Sequence, residues 1–173
     1  MFKFLKKNQS NEILLYNKIL SLSRNKLFYT EISMNDTFQN RINLIFLHIS
    51  FLLNKMKNQN NNALYKNFYQ KLFDCTFNKI ETNMREIGFG DVSVNQKMKV
   101  LVKSFYNILL NSESYKMKTF EDKSKFLSNY LTFVVNKDIN YKDLIDYFDK
   151  YEAFCFDLKQ DSVLKGVLNF NYK

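Results

Sequence analysis

This sequence predicts an all-α fold: a single-domain bundle of about six helices with one long central amphipathic helix. Apolar residues recur at intervals of three and four along most of the chain, which is the spacing of one helical face. There is no proline and there are only three glycines, so little in the sequence interrupts long helices. A length of 173 residues suits one domain with a sizeable core.

The predicted helices follow from this spacing and from local capping residues. In chain order their approximate bounds are 11–25, 36–57, 63–87, 94–110, 119–134 and 140–158. The second helix is apolar on most sides and should lie at the centre, with Asn35 or Asp36 as its N-cap. The third is the longest amphipathic helix, and the polar run 58–62 separates it from the second.

Two glycines mark the connection between the third and fourth helices. Gly88 fits the position just after a helix, where a left-handed backbone conformation closes the last turn. Gly90 would let the chain turn, and Ser93 with Gln96 three residues later is the signature of a capping box. We therefore expect Gly88, Gly90 and Ser93 to be the structural residues of a tight corner.

The last two helices have polar start signals of the same kind. Thr119 with Asp122 opens the fifth helix, and Asn140 opens the sixth. The tail from Ser162 carries apolar residues that suit either a strand or a packed arm.

The expected domain organisation is a basic segment, residues 1–10, followed by one helical domain, residues 11–173. The longest apolar run, 42–53, is shorter than the roughly 20 residues that span a bilayer, so we expect a buried helix there. Cys75 and Cys155 are isolated cysteines, which suits a reducing compartment.

Common enzyme motifs are missing from the chain. It has no phosphate-binding loop, no dinucleotide-binding glycine motif and no metalloprotease motif, and its single histidine is His48. One histidine excludes most histidine-based metal sites, and His48 is expected to be a core or interface residue hydrogen-bonded to a neighbour. Asp74 and Glu81 share a helix face, but nothing else converges on them. We therefore predict a protein that has no enzymatic activity, no cofactor and no metal site.

Lysine outnumbers arginine by 23 to 3, and this strong bias makes the three arginines informative. Arg24, Arg41 and Arg85 are candidates for positions that need a planar, bidentate guanidinium group. Arg85 forms a charge cluster with Glu86 and Asp91 beside the two glycines. Arg85 could hold the corner together by bonding Asp91 or the helix-end carbonyls, or the corner could present a recognition surface. The sequence leaves both readings open.

The most specific motif of the chain is Met84-Arg85-Glu86-Ile87-Gly88-Phe89-Gly90-Asp91. The residues that accompany it are Tyr16, Ile19, Arg24, Phe28-Tyr29, Asp36-Thr37, Arg41, Leu47-His48, Val94, Lys97 and Phe105-Tyr106. Together these residues resemble the ubiquinol–cytochrome c chaperone family, and the likeness extends over about 16–136. Two departures stand out. Asn40 replaces the family's glycine before its first motif arginine, and Asn107-Ile108 stands where a Gly-Arg pair is usual.

The resemblance implies a helical, non-enzymatic assembly chaperone. Its client would be newly made cytochrome b, or a similar apolar membrane protein, during biogenesis of the ubiquinol–cytochrome c reductase complex. The resemblance also implies a small partner protein, contact with the ribosome and peripheral contact with a membrane, with no role for DNA. Candidates for binding the client or partner are Arg41, His48, Arg85, Glu86, Phe89, Asp91 and Lys97.

The start of the chain bears on the type of family member that we expect. Residues 1–7 are basic and apolar but lack the arginines of a transit peptide, which favours the bacterial type. The expected location is then cytoplasmic, at the inner face of the inner membrane, or the matrix side in a eukaryote.

The charge distribution supports a second hypothesis. Residues 1–118 hold 18 basic and 8 acidic side chains, whereas residues 119–173 hold 8 and 9. The basic part could bind ribosomal RNA, so the alternative is a basic ribosome- or RNA-binding module. A continuous basic stripe would favour that alternative. An apolar surface would favour the chaperone, and the residues expected around it are Phe28, Tyr29, Phe89 and Met98.

Overall fold

The computed structural model describes residues 9–57 and 62–172, and helices dominate both ranges. The α-helices in these ranges are α1 (Asn11–Ser23), α2 (Leu27–Thr30), α3 (Phe38–Lys57), α4 (Asn62–Glu86), α5 (Asp91–Ser112), α6 (Phe120–Ser128), α7 (Tyr141–Asp157) and α8 (Gln160–Leu164). A 3-10 turn at Tyr115–Met117 separates α5 from α6. Six of these helices have nine residues or more, so the predicted all-α bundle is confirmed. The predicted basic segment lies almost wholly outside the described residues, as do positions 58–61 of the predicted polar break.

Helix α3 forms the centre of the bundle, as its sequence predicts. It contacts α1, α4, α5 and α7, and every residue from Ile42 to Leu53 is buried. A helix that is apolar on most sides can lie in water only if neighbours cover it, and these four helices do so. The longest helix, α4, lies at the side of the bundle with one face exposed. Within the described ranges, no helix combines the length and the hydropathy that a membrane crossing requires.

The polar centre of this core is His48, which is fully buried. Its Nδ1 lies 2.6 Å from the carbonyl oxygen of Leu44, so Nδ1 carries the proton and donates. Its Nε2 lies 2.7 Å from the hydroxyl of Tyr147 and accepts from it, and the Tyr151 hydroxyl donates to the His48 carbonyl at 3.2 Å. Burial lowers the pKa of His48 from 6.5 to about 4, which keeps the ring neutral. The prediction of a hydrogen-bonded core histidine is confirmed.

The N-cap of α3 is Thr37, so the prediction of Asn35 or Asp36 at this position is wrong. Thr37 Oγ1 accepts from the backbone N–H of Asn40 at 3.2 Å and satisfies one free amide of the first turn. Asp36 is unavailable as a cap because its carboxylate accepts from Arg41.

Helix α6 ends at Ser128, several residues before the predicted end near 134. The following residues run extended beside the segment before α3, where Met34 and Phe133 form an antiparallel bridge. Asn40, fully buried, fixes this contact. Its Nδ2 donates to the Thr132 carbonyl at 2.8 Å, and its Oδ1 accepts from the Thr132 N–H at 3.0 Å. Backbone groups that would have extended α6 are therefore bonded across the fold.

The C-terminal residues form a packed arm after the short helix α8. Gly166 has φ of +73°, and a Cβ there would lie 2.6 Å from the Asn11 carbonyl oxygen, so glycine allows α8 to approach α1. Beyond it, Phe170 packs against α7, with its ring centroid 5.6 Å from that of Tyr147. The Tyr172 hydroxyl donates to Asp146 at 2.8 Å. The arm thus covers the outer side of the tyrosines that bond His48.

Candidate functional site

The corner between α4 and α5 has the geometry that glycine at position 88 requires. Gly88 has φ of +95°, and its N–H donates to the Arg85 carbonyl at 3.0 Å. The N–H of Phe89 donates to the Met84 carbonyl at 3.1 Å, which completes the bond pair of a Schellman motif. The Phe89 ring is thereby folded back toward Met84, and both side chains line the same cavity. The predicted role of Gly88 is confirmed.

The roles predicted for Gly90 and Ser93 are wrong. Gly90 is the N-cap of α5, with φ of −72° and ψ of 160°, an extended conformation that any residue adopts. Helix α5 begins at Asp91, so Ser93 lies inside the first turn and does not cap the helix. Asp91 is the acidic residue of that turn, where a carboxylate interacts favourably with the helix dipole. The capping-box pattern at 93–96 was misleading because the helix starts before it.

Arg85 holds the corner together through two carboxylates. Its Nη1 pairs with Asp91 across the corner, and its Nη2 lies 2.8 Å from Oε1 of Glu81 on α4. Both hydrogen bonds raise the pKa of Arg85, and the bond to Asp91 has the larger effect. The predicted Arg85–Asp91 bond is confirmed. Asp74 accepts from Gln70 at 2.8 Å, so Asp74 and Glu81 have separate partners.

Two cavities flank this corner, and Phe38 at the start of α3 lines both. The first, which we call the arginine cavity, has a volume of about 240 Å³ and lies between α1, α3 and the end of α4. Its apolar floor consists of Tyr16, Leu20, Phe38, Ile42, Ile45 and Ile80. Its rim includes Arg24, Arg41, Asn83, Glu86 and Ile87.

The second cavity, which we call the Phe89 cavity, has a volume of about 250 Å³ and lies between α3, α5 and the corner. The side chains that line it are Phe38, Gln39, Met84, Phe89, Gln96, Lys97, Val100 and Leu101. Lys97 Nζ lies 4.9 Å from the centroid of the Phe89 ring, within the range of a cation–π contact. The two cavities share Phe38 and flank the corner, and we refer to them together as the corner groove. Apolar residues line both cavities, with Arg24 and Arg41 at one and Lys97 at the other.

The two arginines of the arginine cavity differ in their partners. Arg41 makes a bidentate pair with Asp36, with Nε–Oδ1 at 2.6 Å and Nη2–Oδ2 at 2.8 Å. This pair lowers the pKa of Asp36 and raises that of Arg41. Arg24 has no carboxylate partner in the described part of the chain. Its charge acts on the hydroxyls of Tyr16 and Tyr29, and it opposes the rise in their pKa that burial causes.

The structure brings most of the predicted site residues to this corner. Those that lie at the groove or its supporting ion pairs are Arg41, Arg85, Glu86, Phe89, Asp91 and Lys97. His48 does not join them because it is fully buried in the core. Phe28, expected on an apolar surface, is also fully buried, and Met98 lines a separate shallow depression on α5.

Among the groove residues that sequence reasoning missed, Phe38, Ile87 and Arg24 matter most. Phe38 and Ile87 look like ordinary core residues in the sequence, yet Phe38 divides the two cavities and the Ile87 side chain is 59% exposed. Arg24 was noticed for its rarity but not assigned to the site. Its position became apparent only when the end of α1 packed beside the end of α4. In the described ranges, no group of His, Cys, Asp and Glu is arranged to hold a metal ion.

Comparisons with known proteins support one family. The sequence profile of the ubiquinol-cytochrome C chaperone family matches residues 30–170. The crystal structure of the Cbp3 homolog from Brucella abortus is similar in fold, with a TM-score of 0.77 and 21% sequence identity. The match covers 93% of this chain and 89% of that chain. A search of curated proteins gave no significant match. Because the family profile spans well over half of the sequence, this chain belongs to the ubiquinol–cytochrome c chaperone family.

Proposed function

We propose that this protein is a non-enzymatic assembly chaperone that holds an apolar segment of newly made cytochrome b in the corner groove. It would act during biogenesis of the ubiquinol–cytochrome c reductase complex, at the membrane face where that client is inserted. Family membership supports the chaperone role in assembly of this complex.

The observation that carries this proposal is the corner groove. Two apolar cavities adjoin at Phe38, and the residues of the family motif build the corner between them. Together they offer room for a few aliphatic side chains, each worth about 2 kcal/mol when fully buried. Ile87, on the rim, is an exposed large apolar residue that a client would cover. Surfaces of this kind are typical of protein-binding sites.

The direct test is photo-crosslinking in cells from a photoreactive residue placed at Ile87. We expect it to capture cytochrome b while that protein is being synthesised, because Ile87 borders the arginine cavity and faces solvent. The matched control carries the same photoreactive residue at Glu121, an exposed position on α6 that lines neither cavity. Equal capture from both positions, or none from position 87, would contradict the proposal.

The RNA-binding alternative has weaker support. Helices α4 and α5 do carry exposed lysines, at positions 66, 71, 79, 97, 99 and 103. Acidic residues lie on the same helices, at positions 74, 81, 86 and 91, so these helices carry charges of both signs. Binding to a phosphate backbone is strongest where basic side chains follow one another without acidic residues between them.

A further inference from the structure

The arginine cavity has a feature that apolar packing alone does not explain. Two arginines, Arg24 and Arg41, line it, and within the described ranges only Arg41 has a carboxylate partner. Arg41 is held by Asp36 through two short bonds, whereas Arg24 has no carboxylate partner in the described ranges. A guanidinium group beside an apolar floor binds a carboxylate in a planar, bidentate geometry better than lysine does.

We infer that the occupant of the arginine cavity is an apolar segment carrying one carboxylate side chain, and that Arg24 binds this carboxylate. The inference rests on the proposed function, since it specifies the chemistry of the segment held there. Apolar side chains of the segment lie on the floor formed by Leu20, Ile42 and Ile80, and the carboxylate reaches the end of α1.

Glu86 lines the same cavity, and its negative charge determines the orientation of the bound segment. Glu86 belongs to α4, whereas Arg24 follows α1, and Glu86 makes no ion pair with the described residues. A carboxylate of the segment is repelled by Glu86 and attracted by Arg24, so the segment lies with its acidic residue toward α1. Asp36 does not compete for Arg24 because Arg41 already occupies both of its oxygens.

The rarity of arginine in this sequence agrees with this role. Of 26 basic residues three are arginines, and the two that line the arginine cavity are Arg24 and Arg41. The third, Arg85, makes two ion pairs that hold the corner beside that cavity. All other basic residues of the chain are lysines. The three arginines lie at or beside this cavity, where a planar guanidinium group can form bidentate bonds.

The test measures binding of the purified protein to an array of apolar 15-residue peptides. The peptides come from the membrane proteins of the same organism, cytochrome b included, and each is made in two versions with Glu or Gln at one position. Wild type should bind the Glu versions about tenfold more tightly, because a bidentate pair at a partly covered site is a strong charge-assisted bond. Arg24→Gln should remove this preference, so that the Glu and Gln versions of a peptide bind this variant with similar affinity.

Two further variants separate a specific carboxylate site from general attraction. Arg24→Lys keeps the charge without the planar fork and should retain only part of the preference. Lys26→Gln removes an exposed cation two residues away that does not line the cavity, and it should keep the full preference. Circular dichroism checks that all variants remain helical.

Three results would overturn the inference: no preference for Glu in wild type, an equal loss of preference in Lys26→Gln, or no binding of any peptide. None of them bears on whether cytochrome b crosslinks to position 87 in cells. Conversely, a clear Glu preference with no crosslinked cytochrome b would retain the carboxylate site and reject the proposed client.

Discussion

His48 lies at the polar centre of the core, and its protonation links stability to pH. Burial lowers its pKa to about 4, below the 6.5 of an unfolded chain. The unfolded state therefore binds more protons between these values, and stability contributed by the neutral ring is lost as pH falls from 6.5 toward 4. From pH 7 to pH 5 we expect the free energy of unfolding to fall by about 2 kcal/mol from this group.

Urea unfolding at several pH values measures this effect, and His48→Gln is the variant to compare. The variant should be less stable at pH 7, because Tyr147 and Leu44 lose well-placed partners. Its stability should change much less between pH 7 and pH 5, since glutamine does not titrate. An identical pH dependence in both proteins would show that His48 is not the group responsible.

At the scale of elements, Asn40 joins the start of α3 to the extended residues after α6. Its buried side chain makes hydrogen bonds with the backbone of Asn35 and Thr132. Asn40→Ala leaves these buried backbone groups unpaired and should lower the free energy of unfolding by about 3 kcal/mol. Gln39→Ala, at an exposed neighbouring position, should cost much less. Chemical denaturation compares the two, and equal losses would contradict the assignment.

The elements also show which structure was predictable from local sequence. Helical spacing identified all six longer helices, because each buries one apolar face on a neighbour. Helix ends were less predictable where a distant contact competes with local signals. The end of α6 depends on Asn40, 92 positions away from Thr132, and no local pattern reveals that bond. The residue that makes this bond is also the one that departs from the family's glycine.

At the scale of the whole molecule, the corner groove lies in the part of the chain with excess positive charge, and salt dependence tests what that charge does. If an apolar segment with one carboxylate binds there, its affinity should fall less than about tenfold between 50 and 200 mM salt. An RNA that neutralises several lysines would lose about 10³-fold or more over the same range. Titration of the purified protein with a bound peptide from the array gives the slope. A steep slope would favour the RNA-binding hypothesis.

The candidate site was only partly predictable at this scale. The motif around Arg85 marked the corner, and its bonds to Asp91 and Glu81 hold that corner in shape. The groove itself depends on how four helices meet, and the spacing of residues along one helix does not determine that arrangement. Arg24, Phe38 and Ile87 therefore became site residues only in the folded structure.

The hydrogen bonds between His48 and α7 determine when the core can be completed as the chain folds during synthesis. Tyr147 and Tyr151, which bond the ring and the carbonyl of His48, come 99 and 103 positions later in the chain. Phe170, which packs outside them, lies later still in the chain. Helix α3, which supplies part of the floor of the arginine cavity, is thus enclosed on its far side only after α7 has been synthesised. The core around His48 is therefore completed only after α7 and the arm beyond it have emerged from the ribosome.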